Sequence, residues 1–425
     1  MRSFLKLLLI LGSAVSPVAA QSAVFAAPGL RDYVSEVIEQ NAGLRAAGVR
    51  VAAARARIAP AGALPDPTFT LGAMAVPVTS FDIDREPMTQ FPIMVQQRFP
   101  FPGKQRAATA VARADSLVAA AQRRGVEADV AARAVSAYFD LADARTALAV
   151  WEGRVALAAQ AITVARTRYE TGTAPQTDLL RAQLRRAQLE EERRRLDAGV
   201  HAASARLNAL RAGNGDSVFT PQLGSTTAIP GLRGDVIPSD TVLHRQALAQ
   251  NPQLRSAAGA VVRADRAAST FAIAGRPDFT IGVQAGARLG GRETFLTALV
   301  GMSVPLYAGR KQTPAAQAAR LERAATEQIY DDLTTQLIAE IAAAAAHVRA
   351  LRDRILQTAD QILPLAEAAS ASALQRYRVG ALEFSAVLDA QDDLFESQLR
   401  LADLIAEYGA AWGELTALLG EEWYQ

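Results

Sequence analysis

The chain has 425 residues, with 45 lysines and arginines against 43 aspartates and glutamates, and it is half hydrophobic. So even a balance gives no electrostatic case for nucleic-acid binding. The absence of cysteine excludes disulfides, so stability must come from packing and assembly.

The start, Met1-Arg2-Ser3-Phe4-Leu5-Lys6, leads to an apolar run from Leu7 to Val15 and the small residues Val18-Ala19-Ala20. This pattern predicts a secretory signal peptide over 1–20, cleaved near Ala20. Without cysteine there is no lipid-modified N-terminal Cys. Loss of Arg2 and Lys6 leaves 43 basic against 43 acidic residues. No later stretch offers the ~18 uncharged apolar residues of a spanning helix. An exported chain of this kind is either soluble in the periplasm or a β-barrel protein of the outer membrane.

Leu30–Gln40 predicts a short amphipathic helix, and Asn41 the cap of a second helix reaching about Ala59. After Pro67 the period changes from helical to two, with strands over Thr68–Val76 and about Phe91–Phe99. Phe99-Pro100-Phe101-Pro102-Gly103-Lys104-Gln105 then leads into a helix from about Gln105 to Tyr169, roughly 95 Å long at the standard rise. Leu141, Leu148, Val155, Ile162 and Tyr169 fall seven apart, which is coiled-coil spacing. A turn follows, then a returning helix over about Asp178–Arg211 and a linker rich in Gly, Pro, Ser and Thr over 212–239.

The same text then returns. Gln250-Asn251-Pro252-x-Leu254-Arg255 repeats Gln40-Asn41-Ala42-x-Leu44-Arg45 at an offset of 210. Phe279, Ile281, Val283 and Ala285 alternate with Thr280, Gly282, Gln284 and Gly286, and Leu296–Val304 alternates likewise. Val304-Pro305-Leu306-Tyr307-Ala308-Gly309-Arg310-Lys311-Gln312 leads into the second long helix, which Pro364 is expected to kink or break. Arg376-Tyr377-x-x-Gly380, then Ser385-x-Val387-Leu388-x-Ala390-Gln391, repeats Arg168-Tyr169-x-x-Gly172, then Thr177-x-Leu179-Leu180-x-Ala182-Gln183, at an offset of 208 without a gap. Gly172 and Gly380 suit left-handed helix ends. Thr177 and Ser385 suit an N-cap or the first turn of the next helix. Each copy is therefore the tip of a helical hairpin. The expected organisation is a first repeat over 21–211, with a β-hairpin at about 66–99 and a tip at about 168–183. The second repeat covers 240–425, with a hairpin at about 277–305 and a tip at about 376–391.

Four strands cannot close a barrel, and a spanning sheet must close because lipid cannot satisfy its edges. If the strands span, several chains must share them. A soluble sheet with one wet face is the other reading of the same alternation.

The order helix, strand, strand, long helix, tip, returning helix, written twice, resembles the TolC-like outer membrane efflux proteins over about residues 30–420. The Phe-Pro-Phe-Pro-Gly-Lys junction resembles the heavy-metal branch. The resemblance implies a mostly α fold with a membrane β-barrel: a homotrimer with a twelve-stranded barrel in outer membrane lipid and a long helical tunnel in the periplasm. It implies an exit duct that passively conducts metal ions or small toxic molecules. Its partners would be a periplasmic adaptor and an inner membrane pump, and helix pairs would untwist to open it.

Carried over residue by residue, Asp389 matches one of two family aspartates that ring the constriction, while Ala386 stands at the other. Tyr377 and Asp178 match positions that hydrogen-bond across neighbouring helix pairs and hold the tip shut, while Leu382 stands where the family has an arginine. Gly172, Thr177, Gly380 and Ser385 fall on the implied adaptor-docking tips. Lys104 and Lys311, the only lysines after the signal peptide, suit the headgroup layer, where long cations snorkel. Asp389 is also readable as a solvated first-turn acid, and Tyr377 as tip packing.

Met74, Met88 and Met94 invite a soft-metal reading, but strand methionines explain them without one. His201, His244 and His347 have no metal-ligand spacing. No catalytic or cofactor-binding motif is present, and the chain does not read as an enzyme. The alternative is a trimeric coiled-coil surface protein of structural or adhesive function, which has no use for two internally repeated hairpin tips.

Overall fold

The computed structural model describes residues 29–76, 86–211, 237–288 and 292–421. The signal peptide and most of the linker, 212–236, lie outside them. The chain divides into two compact units. One comprises Met1–Ala42, Glu127–Asn251 and Leu337–Gln425, and the other Gly43–Val126 and Pro252–Gln336.

The second unit carries the sheet. β1 (Thr68–Leu71), β2 (Phe91–Phe99), β3 (Phe279–Ala287) and β4 (Phe295–Met302) pair antiparallel in the order β1-β2-β3-β4. The β2–β3 pairing joins the two repeats. Among the described residues, β1 and β4 are the edges of the sheet.

The register sorts the side chains by face. Phe69 sits opposite Val95 and Leu71 opposite Ile93. Val95 sits opposite Val283 and Phe99 opposite Phe279, and Ile281 sits opposite Val300. All of these lie on one face because pleated side chains alternate. That face is exposed: Val300 is 81% and Leu71 66% accessible. The other face carries Thr70, Gln96, Thr280, Gln284, Thr297 and glycines, with Pro92, Met94, Phe295 and Leu299 as its apolar members.

β1 is shorter than the alternation predicts. Pro92, one residue beyond the last β1–β2 pair (Leu71 with Ile93), has no N–H to donate. Beyond Leu71 the pairing thins to Gly72 N–H to Pro92 O and an isolated bridge between Met74 and Gln90.

At the foot of the sheet, Asp278 joins three elements. Its carboxylate accepts from Arg98 of β2 at 2.5 Å, the Phe101 N–H at 2.9 Å and Lys104 Nζ at 2.8 Å. Lys104 opens α4 (Lys104–Glu170) and also donates to the Arg276 carbonyl. So the Lys104 head is tied to protein acceptors, while Lys311 is exposed. Burial would raise the Asp278 carboxyl, but the Lys104, Phe101 and Arg98 hydrogen bonds outweigh it and hold it at about 2.

The helices of this unit are α2 (Ala42–Ala56), α3 (Ile58–Gly62), α7 (Pro252–Ile273) and the first parts of α4 and α8 (Gln312–Gln357). α2 stops at Ala56, short of the expected Ala59. Pro60 cannot donate to residue 56, and the chain resumes as α3 with Pro60 in its first turn.

The other unit holds α1 (Leu30–Gln40), α5 (Gln176–Leu210), α6 (Asp240–Gln250), α9 (Leu363–Arg378), α10 (Phe384–Leu419) and the remainder of α4 and α8. Its core buries Tyr33, Val135, Tyr138, Phe139 and Leu141. The Tyr33 hydroxyl donates to the Leu207 carbonyl at 2.9 Å, and its ring lies 6.5 Å from that of Tyr138. α4 and α10 approach closely where Gly409 meets Phe139. A Cβ on Gly409 would fall 2.2 Å from that ring.

Asn41 and Asn251 precede α2 and α7 as expected, but each side-chain amide also reaches another helix. Asn41 donates to the Leu210 carbonyl at 3.2 Å and Asn251 to the Leu418 carbonyl at 2.8 Å. Both fill carbonyls that the ends of α5 and α10 leave without intrahelical donors.

The expected break near Pro364 takes the form of a π-helical turn, Thr358–Ile362, directly before α9. The proline sits in the first turn of α9, where its missing N–H costs least. α4, its counterpart in the first repeat, runs 67 residues without interruption. By length and composition alone α4 is long and apolar enough to cross a membrane, although it contains no uncharged run of ~18 residues. Alanine raises its hydropathy, while its charged side chains Arg154 and Arg168 are engaged in ion pairs and hydrogen bonds.

Replacing Asp278 by alanine leaves Arg98 and Lys104 side by side without their acceptor. The expected loss is about 2–3 kcal/mol, read as a lower denaturant or thermal midpoint. Because the folded carboxyl is held low, its contribution is complete above about pH 4. It is lost as pH falls toward about 2, so the Asp278→Ala deficit should shrink with acidification.

Candidate functional site

The two tips are built alike. α4 and α9 each end in a left-handed glycine, Gly172 at φ +72° and Gly380 at φ +77°. The Gly172 N–H donates to the Tyr169 carbonyl and the Thr173 N–H to that of Arg168, and Gly380 and Ala381 donate likewise to Tyr377 and Arg376. This double bond pattern closes the last carbonyls of a helix in a Schellman turn. The residues before α5 and α10 are Pro175 and Glu383, both extended and neither making a side-chain cap bond. Thr177 and Ser385 therefore lie inside the first turn, not at the cap.

The first tip then meets the second. Tyr377, 1% exposed, donates its hydroxyl to Asp178 Oδ2 at 3.2 Å. The Arg168 guanidinium lies 4.5 Å from the centre of the Tyr377 ring. It also donates to the Tyr377 carbonyl and to the Thr173 carbonyl, each at 2.9 Å. Phe384 packs on Tyr377 with ring centres 5.2 Å apart. Around them Ala161, Ile162, Ala182, Leu374 and Val387 are buried, and Leu382 packs against the same cluster. Burial first, then the Asp178 charge and its hydrogen bond, push the Tyr377 phenol up to about 12 against the opposing Arg168. The phenol is therefore a donor across the neutral range.

A cleft of about 590 Å³ opens between the tips, lined by Arg168, Asp178, Arg181, Tyr377, Gly380 and Glu383, among others. Asp178, Tyr377, Gly380 and Ser385 line it, while Gly172, Thr177 and Asp389 do not. Asp389 is exposed and makes no hydrogen bond or ion pair among the described residues.

Sequence reasoning missed two contributors. Arg168 belongs to the repeated motif, but nothing local says that it crosses to the other repeat. Asp392, three residues after Asp389, binds Arg185 of α5 and, at 2.9 Å, Arg154 of α4. It ties α10 to the first repeat above the tips. The heptads place Arg154 one residue before Val155, a weak signal for a helix-facing charge.

Among the described residues, no three His, Asp or Glu side chains group as metal ligands. The Met74 sulfur accepts from Gln90 at 3.2 Å, and Met88 is 69% exposed in the turn before β2.

The family model described as outer membrane efflux protein matches residues 33–213 and 243–421. The cobalt-zinc-cadmium resistance protein CzcC of Cupriavidus metallidurans is 23% identical over 320 residues, covering 75% of this chain and 74% of that protein. The solved structure of CusC superposes with a TM-score of 0.80 at 18% identity, covering 96% of this chain and 95% of the other. The outer-membrane channel OprN superposes at 0.77 and 18% identity, covering 94% and 91%. With both repeats matched, the twice-written helix–strand–strand–helix order and its paired tips are those of a channel protein, and the chain belongs to the outer membrane efflux protein family.

Proposed function

We propose that three copies of this chain form the exit duct of a tripartite efflux system, with Tyr377, Asp178 and Arg168 holding its inner end closed. The observation that carries this reading is the sheet. Its apolar face is exposed, and among the described residues neither edge strand has a further strand beside it. Three copies supply twelve strands, which close the edges and turn the apolar face to lipid. This is the outer membrane channel of the family, with the helices on the periplasmic side.

At the tips, the phenol–carboxylate bond and the Arg168 contacts tie the second hairpin to the first. Opening the inner end requires parting them. Gly172, Thr177, Gly380 and Ser385 would offer the surface for an adaptor, and Asp389 a ring of carboxylates that favours cations. With Ala386 at the companion position, that ring is single. Lys104 and Lys311 would stand near the membrane interface. The likeness to CzcC, a cobalt-zinc-cadmium resistance protein, favours divalent metal ions as cargo, delivered by an adaptor and an energised inner membrane pump.

The detergent-solubilised protein should have the mass of three chains. A monomer would end the duct reading. In planar bilayers, Tyr377→Phe with Asp178→Ala should raise single-channel conductance, and unchanged conductance would remove those residues from the closure. Arg168→Ala should speed amide exchange over 371–383 by about tenfold, the loss of one charge-assisted hydrogen bond. A strain lacking the gene should be sensitised to cobalt, zinc and cadmium more than to detergents or dyes. The reverse order would reassign the cargo.

A further inference from the structure

The two tips are copies at an offset of 208 residues, yet the chain uses only half of what they offer. Within the chain, Arg168 of the first tip covers the ring of Tyr377 in the second, and Tyr377 bonds Asp178. At that offset the counterparts of Arg168, Tyr377 and Asp178 are Arg376, Tyr169 and Ala386. Arg376 is exposed and Tyr169 is 43% exposed. Neither side chain makes a hydrogen bond, ion pair or ring contact among the described residues. A chain that repeats itself thus carries one junction made and the two halves of a second junction unmade.

A ring of identical copies joins head to tail, so each copy must present two different surfaces that fit each other. The unmade halves are such a pair. We propose that Arg376 of one copy lies over the Tyr169 ring of the next copy, as the between-copy counterpart of the Arg168–Tyr377 contact, and that this seam is the looser of the two. This inference rests on the oligomeric reading above.

The residues around each contact set the difference. In the junction within the chain, Leu374 and Phe384 are buried beside Tyr377, and Asp178 accepts from its hydroxyl. Their counterparts are Arg166, Gln176 and Ala386. Arg166 and Gln176 are exposed polar side chains, and the Ala386 methyl accepts no hydrogen bond. The cation and the ring are kept, while the apolar packing and the carboxylate are not. When the inner end opens, the seam between copies gives way before the junction within the chain does.

The chain has no cysteine, so introduced thiols are the only ones. Arg376→Cys with Tyr169→Cys, treated with a short thiol cross-linker in the full-length assembled protein, should give dimer and trimer bands on a denaturing gel. Arg168→Cys with Tyr377→Cys should cross-link within one chain and stay at monomer mass. An assembled trimer whose 376/169 pair stays at monomer mass overturns the proposed seam and leaves the duct reading intact. A native mass of one chain defeats both. As a second test, Ala386→Asp restores the missing acceptor and should lower single-channel conductance. Conductance equal to that of the parent would overturn the claim that the seam is loose for want of a carboxylate.

Discussion

A sheet needs partners for its edges and a solvent for its faces, and the described residues of this chain supply neither. β1 and β4 end the ladder, leaving rows of N–H and C=O groups without a strand partner among the described residues. The face bearing Phe69, Leu71, Ile281 and Val300 stays accessible. In water, either feature alone would favour aggregation. In a membrane the two requirements are met together, since lipid accepts the apolar face only if closure satisfies the edges. Assembly follows from the same constraint as membrane insertion.

The duplicated chain meets a second constraint by letting its halves diverge. α4 runs unbroken, while its counterpart passes through a π-helical turn and Pro364. Asp178 stands in the first tip where Ala386 stands in the second. Phe384 and Leu374 fill the junction where Gln176 and Arg166 are exposed. Three copies of such a chain would give six similar hairpins but two kinds of seam. A symmetric repeat would weight every seam alike, whereas this one puts its strongest polar contact inside the chain.

Much of the fold is legible because it is periodic. α1 spans Leu30–Gln40, the bounds its apolar spacing predicts. The strands begin where the period turns to two, and the tip glycines adopt the positive φ their position calls for. The misses have local causes that propensity does not weigh. Pro92 shortens β1, and Pro60 divides α2 from α3. Of the two places open to Thr177 and Ser385, cap or first turn, the structure takes the first turn, because Pro175 and Glu383 are the extended residues before the helices. Asn41 and Asn251 stand directly before α2 and α7, where caps are expected, and what no local pattern shows is that their amides also reach distant helix ends.

By itself the sequence determined the duplication, the alternation of faces and the glycine turns at the tips. All of these rest on spacing along one strand or one helix, or on short contiguous patterns. The tertiary structure decided which charges meet. Arg168 with Tyr377, Arg154 and Arg185 with Asp392, and Lys104 with Asp278 join residues between 170 and 240 positions apart, or cross between helices. Such pairs depend on the rotation of each helix about its own axis and on the sheet register. Neither is written in any local window of residues, and both are fixed only when all the elements pack at once.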